Sequence, residues 1–171
     1  NIILNDRFFV ASSHQSMFET FFLQTIFKAP VFILKKELMK IPIFGWYLKK
    51  IGSISIDRNK ISKENLDFFS KVSEILNYSN RTLIIFPQGT RSSLEERLPF
   101  KKGAARIYEK LKIKCQPVAI NSGRVWPKQG ILKSNTTITI SILKPIDQGL
   151  DKEYFLKNLE DEIYSELDAL S

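Results

Sequence analysis

Short apolar runs alternate along the chain with longer stretches in which apolar positions recur every third or fourth residue. The runs read as buried strands and the periodic stretches as helices with one apolar face. Strands are predicted over residues 7–11, 31–34, 53–56, 82–86 and 116–120. Residues 136–143 alternate Thr or Ser with Ile, the pattern of a half-exposed strand at an edge. A helix is predicted over 18–27, capped by Ser12 or Ser13, with Phe18, Phe21, Phe22, Thr25 and Ile26 as its apolar stripe. Further helices are expected over 61–78, with Leu66, Phe69, Val72, Ile75 and Leu76 on one face, over 103–112 and over 151–170. Residues 35–50 read as broken helical pieces punctuated by Pro42 and Gly45. Strands alternating with helices predict an α/β fold: a single layered domain over residues 1–171, with a mostly parallel central sheet flanked by helices.

Three polar stretches each fall directly after a predicted strand. Ser12–Ser16 (SSHQS) follows the first, Asp57-Arg58 follows the third, and residues 87–92 (PQGTRS) follow the fourth. In a parallel sheet all three lie on the carboxyl-end rim, where open α/β folds bind ligands.

Composition narrows the classes. A chain of 171 residues with 43% hydrophobic content can bury one sizeable core. Cys115 is the single cysteine, which rules out an intrachain disulfide and fits a reducing compartment. No CxxC pair or histidine cluster is present, so no metal site is expected. The net charge of +8 is uneven: residues from Asp147 onward carry −6, leaving +14 on those before it. Such a field suits nucleic acid, phosphorylated metabolites or an anionic membrane, or it simply offsets a solvated acidic last helix. Residues 35–50 interleave Trp46, Tyr47 and aliphatic side chains with lysines, as in a half-buried helix or a membrane-surface segment. No apolar run reaches the roughly 18 residues of a membrane span, and no signal peptide is visible. The chain begins at Asn1 rather than Met, so the expectation is that an N-terminal, membrane-associating segment is missing.

His14 is the only histidine and therefore the only side chain expected to titrate, unperturbed, near neutral pH. Set just before a helix, it can meet Glu19, and a carboxylate on one ring nitrogen orients the other as a base. A surface histidine beside a carboxylate at a helix N-terminus is the alternative. Gly89 permits a tight turn whose N–H groups can face an anion, and Arg91 adds a bidentate fork. Arg58, held by Asp57 or merely paired with it, supplies a second guanidinium, and Lys101 and Lys102 stand at a helix start that also favours anions.

These residues fall into four blocks. His14 to Glu19 fits H-x-x-x-x-D/E, and Gly52 to Arg58 fits G-x-I-x-I-D-R. Phe86 to Ser92 fits F-P-E-G-T-R-S with Gln88 for Glu, and Gln116 to Ile120 fits an apolar V-P-V-A strand. In this order they resemble the glycerolipid acyltransferase superfamily, specifically the bacterial 1-acylglycerol-3-phosphate acyltransferases, over about residues 8–121. The resemblance implies a glycerol-3-phosphate acyltransferase-like fold and direct acyl transfer to a glycerolipid hydroxyl, the sn-2 hydroxyl of lysophosphatidic acid, giving phosphatidic acid. It implies an acyl-CoA or acyl carrier protein donor as co-substrate, no further cofactor, and no acyl-enzyme. His14 would be the general base and Glu19 its orienter; Arg58, Gly89, Thr90 and Arg91 would bind phosphate, with Gln88, Ser16, Lys101 and Lys102 in support. The partners expected are a lysophospholipid acceptor and an anionic membrane surface, not nucleic acid, at the cytoplasmic face of the cell membrane. Other acceptors, such as glycerol-3-phosphate or another lysophospholipid, fit the same blocks. A non-catalytic basic binding module would leave the histidine and the Gly-Thr-Arg turn unexplained.

Overall fold

In the computed structural model of the chain, which describes residues 7–56, 68–133 and 135–170, thirteen elements follow in order. They are β1 (Phe8–Ser12), α1 (Phe18–Ile26), β2 (Val31–Lys35), a 3₁₀ turn (Lys36–Lys40), α2 (Phe44–Lys50), β3 (Ile54–Ile56) and α3 (Phe68–Tyr78). After these come β4 (Leu83–Ile85), α4 (Gly103–Leu111), β5 (Lys114–Ile120), a second 3₁₀ turn (Ser122–Arg124), β6 (Ile140–Ile142) and α5 (Lys152–Ala169). The strands form one sheet in the order β3-β2-β4-β1-β5-β6. Every neighbouring pair is parallel except β5–β6. The sheet is therefore mixed but mostly parallel, as the alternation of elements predicts.

The central strands are continuously apolar because both faces of the sheet are covered. Phe9, Ala11, Leu83, Ile85, Cys115 and Ala119 belong to one core together with residues of α3, α4 and α5. Their alternating neighbours Val10, Ile84, Val118 and Ile120 join Phe32 and Leu34 in a second core with Leu23, Phe27 and Leu48 from the α1–α2 side. Burying each of the Val, Leu, Ile and Phe side chains among these is worth about 1.5–3 kcal/mol. Asp151 caps α5 by accepting from the N–H groups of Glu153 and Tyr154 at 2.8 and 3.2 Å. Among the described residues, no helix is long and apolar enough to cross a membrane.

Three expectations are corrected. Neither Ser12 nor Ser13 caps α1: its N-cap is Met17, and Ser13 is instead bonded to Ile120 of β5. The stripe of α1 is also turned round. Glu19, Thr20 and Leu23 are buried, whereas Phe21, Phe22 and Thr25 are exposed, because Glu19 is drawn inward by backbone N–H groups. The last strand shrinks from 136–143 to Ile140–Ile142. Ahead of it, Thr139 gives its N–H to the Asn121 side chain at 2.6 Å. Asp57, Arg58 and the first part of the predicted 61–78 helix lie outside the described residues.

Candidate active site

The parallel register brings the ends of β1 and β4 side by side, Ala11 opposite Ile85, so the stretches after them meet on one rim. The His14 backbone is gripped from both sides by the post-β4 loop. Its N–H donates to Gln88 Oε1 at 3.1 Å, and its carbonyl accepts from the Ser92 N–H at 3.0 Å. The imidazole lies flat on Phe86, with ring centroids 4.0 Å apart and planes 15° from parallel.

Glu19 sits in the first turn of α1 and is fully buried. A carboxylate so placed is tolerable only when its lone pairs are met. Oε1 accepts from the Gln15 N–H at 2.9 Å and from the Ser122 hydroxyl, and Oε2 accepts from the Ser16 N–H at 3.1 Å. Ser16 completes the turn, its hydroxyl accepting from the Phe18 N–H at 2.9 Å. His14 Nδ1 stands 3.4 Å from Glu19 Oε2, within ion-pair reach, and is buried without an aligned hydrogen bond among the described residues. Nδ1 thus faces the Glu19 carboxylate, and Nε2 is the ring nitrogen on the other side. Five non-helical residues, 13–17, lie between strand and helix and allow two positions five apart to meet.

His14 lines a cleft of about 190 Å³. Its lining is apolar at Phe32, Leu34, Leu38, Phe44 and Leu48, and polar at Gly89, Thr90 and Arg91, with Lys35 also in the lining. Gly89 has φ +75°, a left-handed conformation that favours glycine. Its N–H closes the turn onto the Phe86 carbonyl at 2.9 Å, and Arg91 supplies the positive charge on this loop. Arg91 is half-buried and has no ion pair or hydrogen bond among the described residues. Gln88 is buried rather than cleft-lining; beside His14 N, it donates to Ser92 Oγ at 3.4 Å and adjoins Tyr164. Burial pushes the Tyr164 hydroxyl up to about 12, against the opposing pull of the Gln88 hydrogen bond. Lys101 and Lys102 are exposed at the start of α4, away from the cleft lining. Arg58 is outside the described residues.

Sequence reasoning missed Ser122, Gly123 and Gln15. Ser122 bonds Glu19 directly, and the Gly123 N–H donates to Gln15 Oε1 at 2.8 Å. The signal was available, because Asn121-Ser122-Gly123 directly follows β5 on the same rim as SSHQS.

A wider depression of about 640 Å³ lies by β3, but its Arg81 is engaged by the carbonyls of Ala29, Pro30 and Ile51. Among the described residues, no group of three or more His, Cys, Asp or Glu side chains is placed to hold a metal. Next to the His14 cleft, α1, α2 and the 3₁₀ turn between β2 and α2 expose Phe21, Ile41, Ile43 and Trp46. Ile43 is 84% exposed and sits at φ +61°, ψ −56°, in a γ-turn closed by the Phe44 N–H on the Pro42 carbonyl at 2.6 Å. Lys40, Lys49 and Lys50 are exposed on the same elements, Lys50 lying 4.9 Å over the Trp46 ring.

The profile of the Acyltransferase family matches residues 1–121. The chain is similar to the 1-acyl-sn-glycerol-3-phosphate acyltransferase of Pseudomonas aeruginosa, 35% identical over 133 residues, covering 78% of this chain and 51% of the relative. To the enzyme of the same name from Saccharomyces cerevisiae it is 36% identical over 152 residues, covering 85% of this chain and 50% of the relative. The Helicobacter pylori enzyme is 38% identical over 129 residues, 68% of this chain and 50% of the relative. The chain thus spans about half the length of the curated relatives it matches. Among solved structures, the 1-acyl-sn-glycerophosphate (LPA) acyltransferase PlsC from Thermotoga maritima superposes with a TM-score of 0.80 at 25% identity, covering 99% of this chain and 68% of that one.

Proposed function

This chain belongs to the acyltransferase family, and we propose that it transfers an acyl group from a thioester to the sn-2 hydroxyl of lysophosphatidic acid, forming phosphatidic acid. The observation that carries this reading is the His14 imidazole, backed by buried Glu19 at 3.4 Å, in a cleft lined by apolar side chains and by Arg91. In this reading Arg91, joined by Arg58, holds the acceptor phosphate, and the apolar lining takes hydrocarbon. Nε2 removes the proton from the acceptor hydroxyl as its oxygen bonds to the thioester carbonyl carbon. When the tetrahedral adduct collapses, the carbon–sulfur bond breaks and the proton passes from the imidazolium to the departing sulfur. Glu19 stabilises the imidazolium between the two steps. No covalent enzyme intermediate is needed.

Donor and place of work follow from the same reading. The donor is acyl-CoA or acyl carrier protein. The protein works peripherally at the cytoplasmic face of the membrane, where Ile43 and Trp46 enter the interface and the neighbouring lysines meet anionic head groups. The test is radiolabelled acyl transfer by the protein across lysophosphatidic acid, other lysophospholipids and glycerol-3-phosphate, each with both donors. Preference for lysophosphatidic acid, abolished by His14→Ala, is expected. Full turnover by the folded His14→Ala variant would refute the mechanism, and preference for another acceptor would reassign the substrate.

A further inference from the structure

We propose that Ser122 is a positioning residue for the transfer reaction: its hydroxyl, brought from the loop after β5, fixes the Glu19 carboxylate in the orientation that serves His14. The proposal rests on the reading of His14 as the base. The other donors to Glu19, the N–H groups of Gln15 and Ser16 and, at 3.5 Å, the Ser16 hydroxyl, lie on the same short loop as His14. Those donors move with the histidine and cannot by themselves set the carboxylate against an external reference. Ser122 can, because it comes from a separate strand connection 103 positions away and is itself fully buried.

The connection is rigid on both sides. In front, the Gly123 N–H donates to Gln15 Oε1 at 2.8 Å, and a Cβ at Gly123 would stand only 3.0 Å from that oxygen and 3.3 Å from Gln15 Cβ. Behind, Asn121 Nδ2 and Arg124 Nη1 both donate to the Leu170 carbonyl at the end of α5, at 3.1 and 3.0 Å. Asn121 Oδ1 accepts the Thr139 N–H at 2.6 Å. The loop therefore ties α5 and β6 to the dyad. A hydroxyl suits the role chemically: it satisfies a lone pair without a positive charge, so Glu19 keeps its charge for the imidazolium. A lysine or arginine there would compete with His14 for the carboxylate.

Because His14 is the only histidine, the ring-nitrogen NMR signals report its tautomer without ambiguity. In Ser122→Ala, kcat for radiolabelled acyl transfer is expected to fall about 10- to 100-fold, the loss of one hydrogen bond to a charged group. The acceptor KM should stay nearly constant, and the fraction of neutral His14 protonated at Nδ1 should drop. In a Glu19→Gln background the same substitution should cost less than about threefold, because the pair acts as a unit. If Ser122→Ala does not fold, Ser122→Cys, nearly isosteric with a weaker donor, should give an intermediate kcat. A folded Ser122→Ala or Ser122→Cys variant with wild-type kcat and tautomer, beside an inactive His14→Ala variant, would overturn the proposal alone. Activity in His14→Ala would instead overturn the reading beneath it.

Discussion

Replacing Glu19 with glutamine keeps the shape of the side chain and removes its charge, and its surroundings determine the cost. Oε1 accepts from the Gln15 N–H at 2.9 Å and the Ser122 hydroxyl, while Oε2 accepts from the Ser16 N–H at 3.1 Å beside His14 Nδ1. A carboxamide offers an acceptor at one position and only donors at the other. With its oxygen at the Oε1 position, the NH₂ opposes the Ser16 N–H and leaves a buried donor unpaired, costing about 1–3 kcal/mol. The same NH₂ points at Nδ1 and holds the neutral imidazole with its proton on Nε2, the nitrogen that must accept one. The flipped amide opposes the Gln15 N–H at a similar cost. It restores the tautomer but carries no charge to stabilise the imidazolium. Either way the base is disabled, so kcat should fall by about 10²–10⁴, the range that general-base catalysis contributes. The acceptor KM should change little, since Arg91 is untouched. With an acyl-CoA donor, thiol release measured by a chromogenic reagent gives the rate, and Cys115 is buried and adds little background. A folded Glu19→Gln variant whose kcat lies within about threefold of wild type would refute the dyad.

Three further outcomes follow from the same geometry. Arg91→Ala should raise the acceptor KM about 10- to 100-fold, the loss of a charge-assisted contact, and Arg91→Lys should recover only part of it because a lysine lacks the fork; steady-state kinetics in varied lysophosphatidic acid read this out. Gln88→Glu should retain at least about a tenth of wild-type kcat, because the His14 N–H and the Ser92 hydroxyl can both donate to a carboxylate, at a folding cost of about 1–3 kcal/mol seen as a lower Tm. Substituting Asp for both Ile43 and Trp46 should weaken co-sedimentation with anionic vesicles by at least about tenfold while leaving Tm within a few degrees, since both side chains are exposed.

Much of the fold and part of the site were legible in the sequence. The runs around Phe9, Val31, Ile84 and Val118 are apolar at successive positions, as strands covered on both faces are, and their order placed His14 and Arg91 on one rim. Backbone partners were harder to see. Gln88 looked like part of an acceptor pocket from its place in the motif, yet its side chain is spent on the His14 amide. Gly89 was legible as the residue of a tight turn, but that its own N–H would be the one to close the turn was not. In each case the local pattern identified a special backbone without saying which atoms it would occupy. Ser122 went unread for another reason: its place after β5 puts it on the same rim, but it lies just past the fourth block and its partner is 103 positions distant.

The reversal of α1 ties these points together. Periodicity assigns a helix its apolar face to the core because burial of hydrocarbon usually dominates. Here a carboxylate wins the inner position, and it can do so only because several donors converge on it: two N–H groups of its own entry loop and the hydroxyl of Ser122. Without them a buried charge would cost several kcal/mol, more than exposing Phe21 and Phe22 does. The two phenylalanines displaced outward are not stranded. Phe21 packs against Phe44 and Tyr47 of α2, at 6.3 and 5.6 Å between centroids, and so braces the helix that contributes Phe44 and Leu48 to the apolar lining of the cleft. One sequence feature thus serves two ends: the buried Glu19 carboxylate turns the helix, and the turned helix sets Phe21 against α2, the helix that carries Trp46.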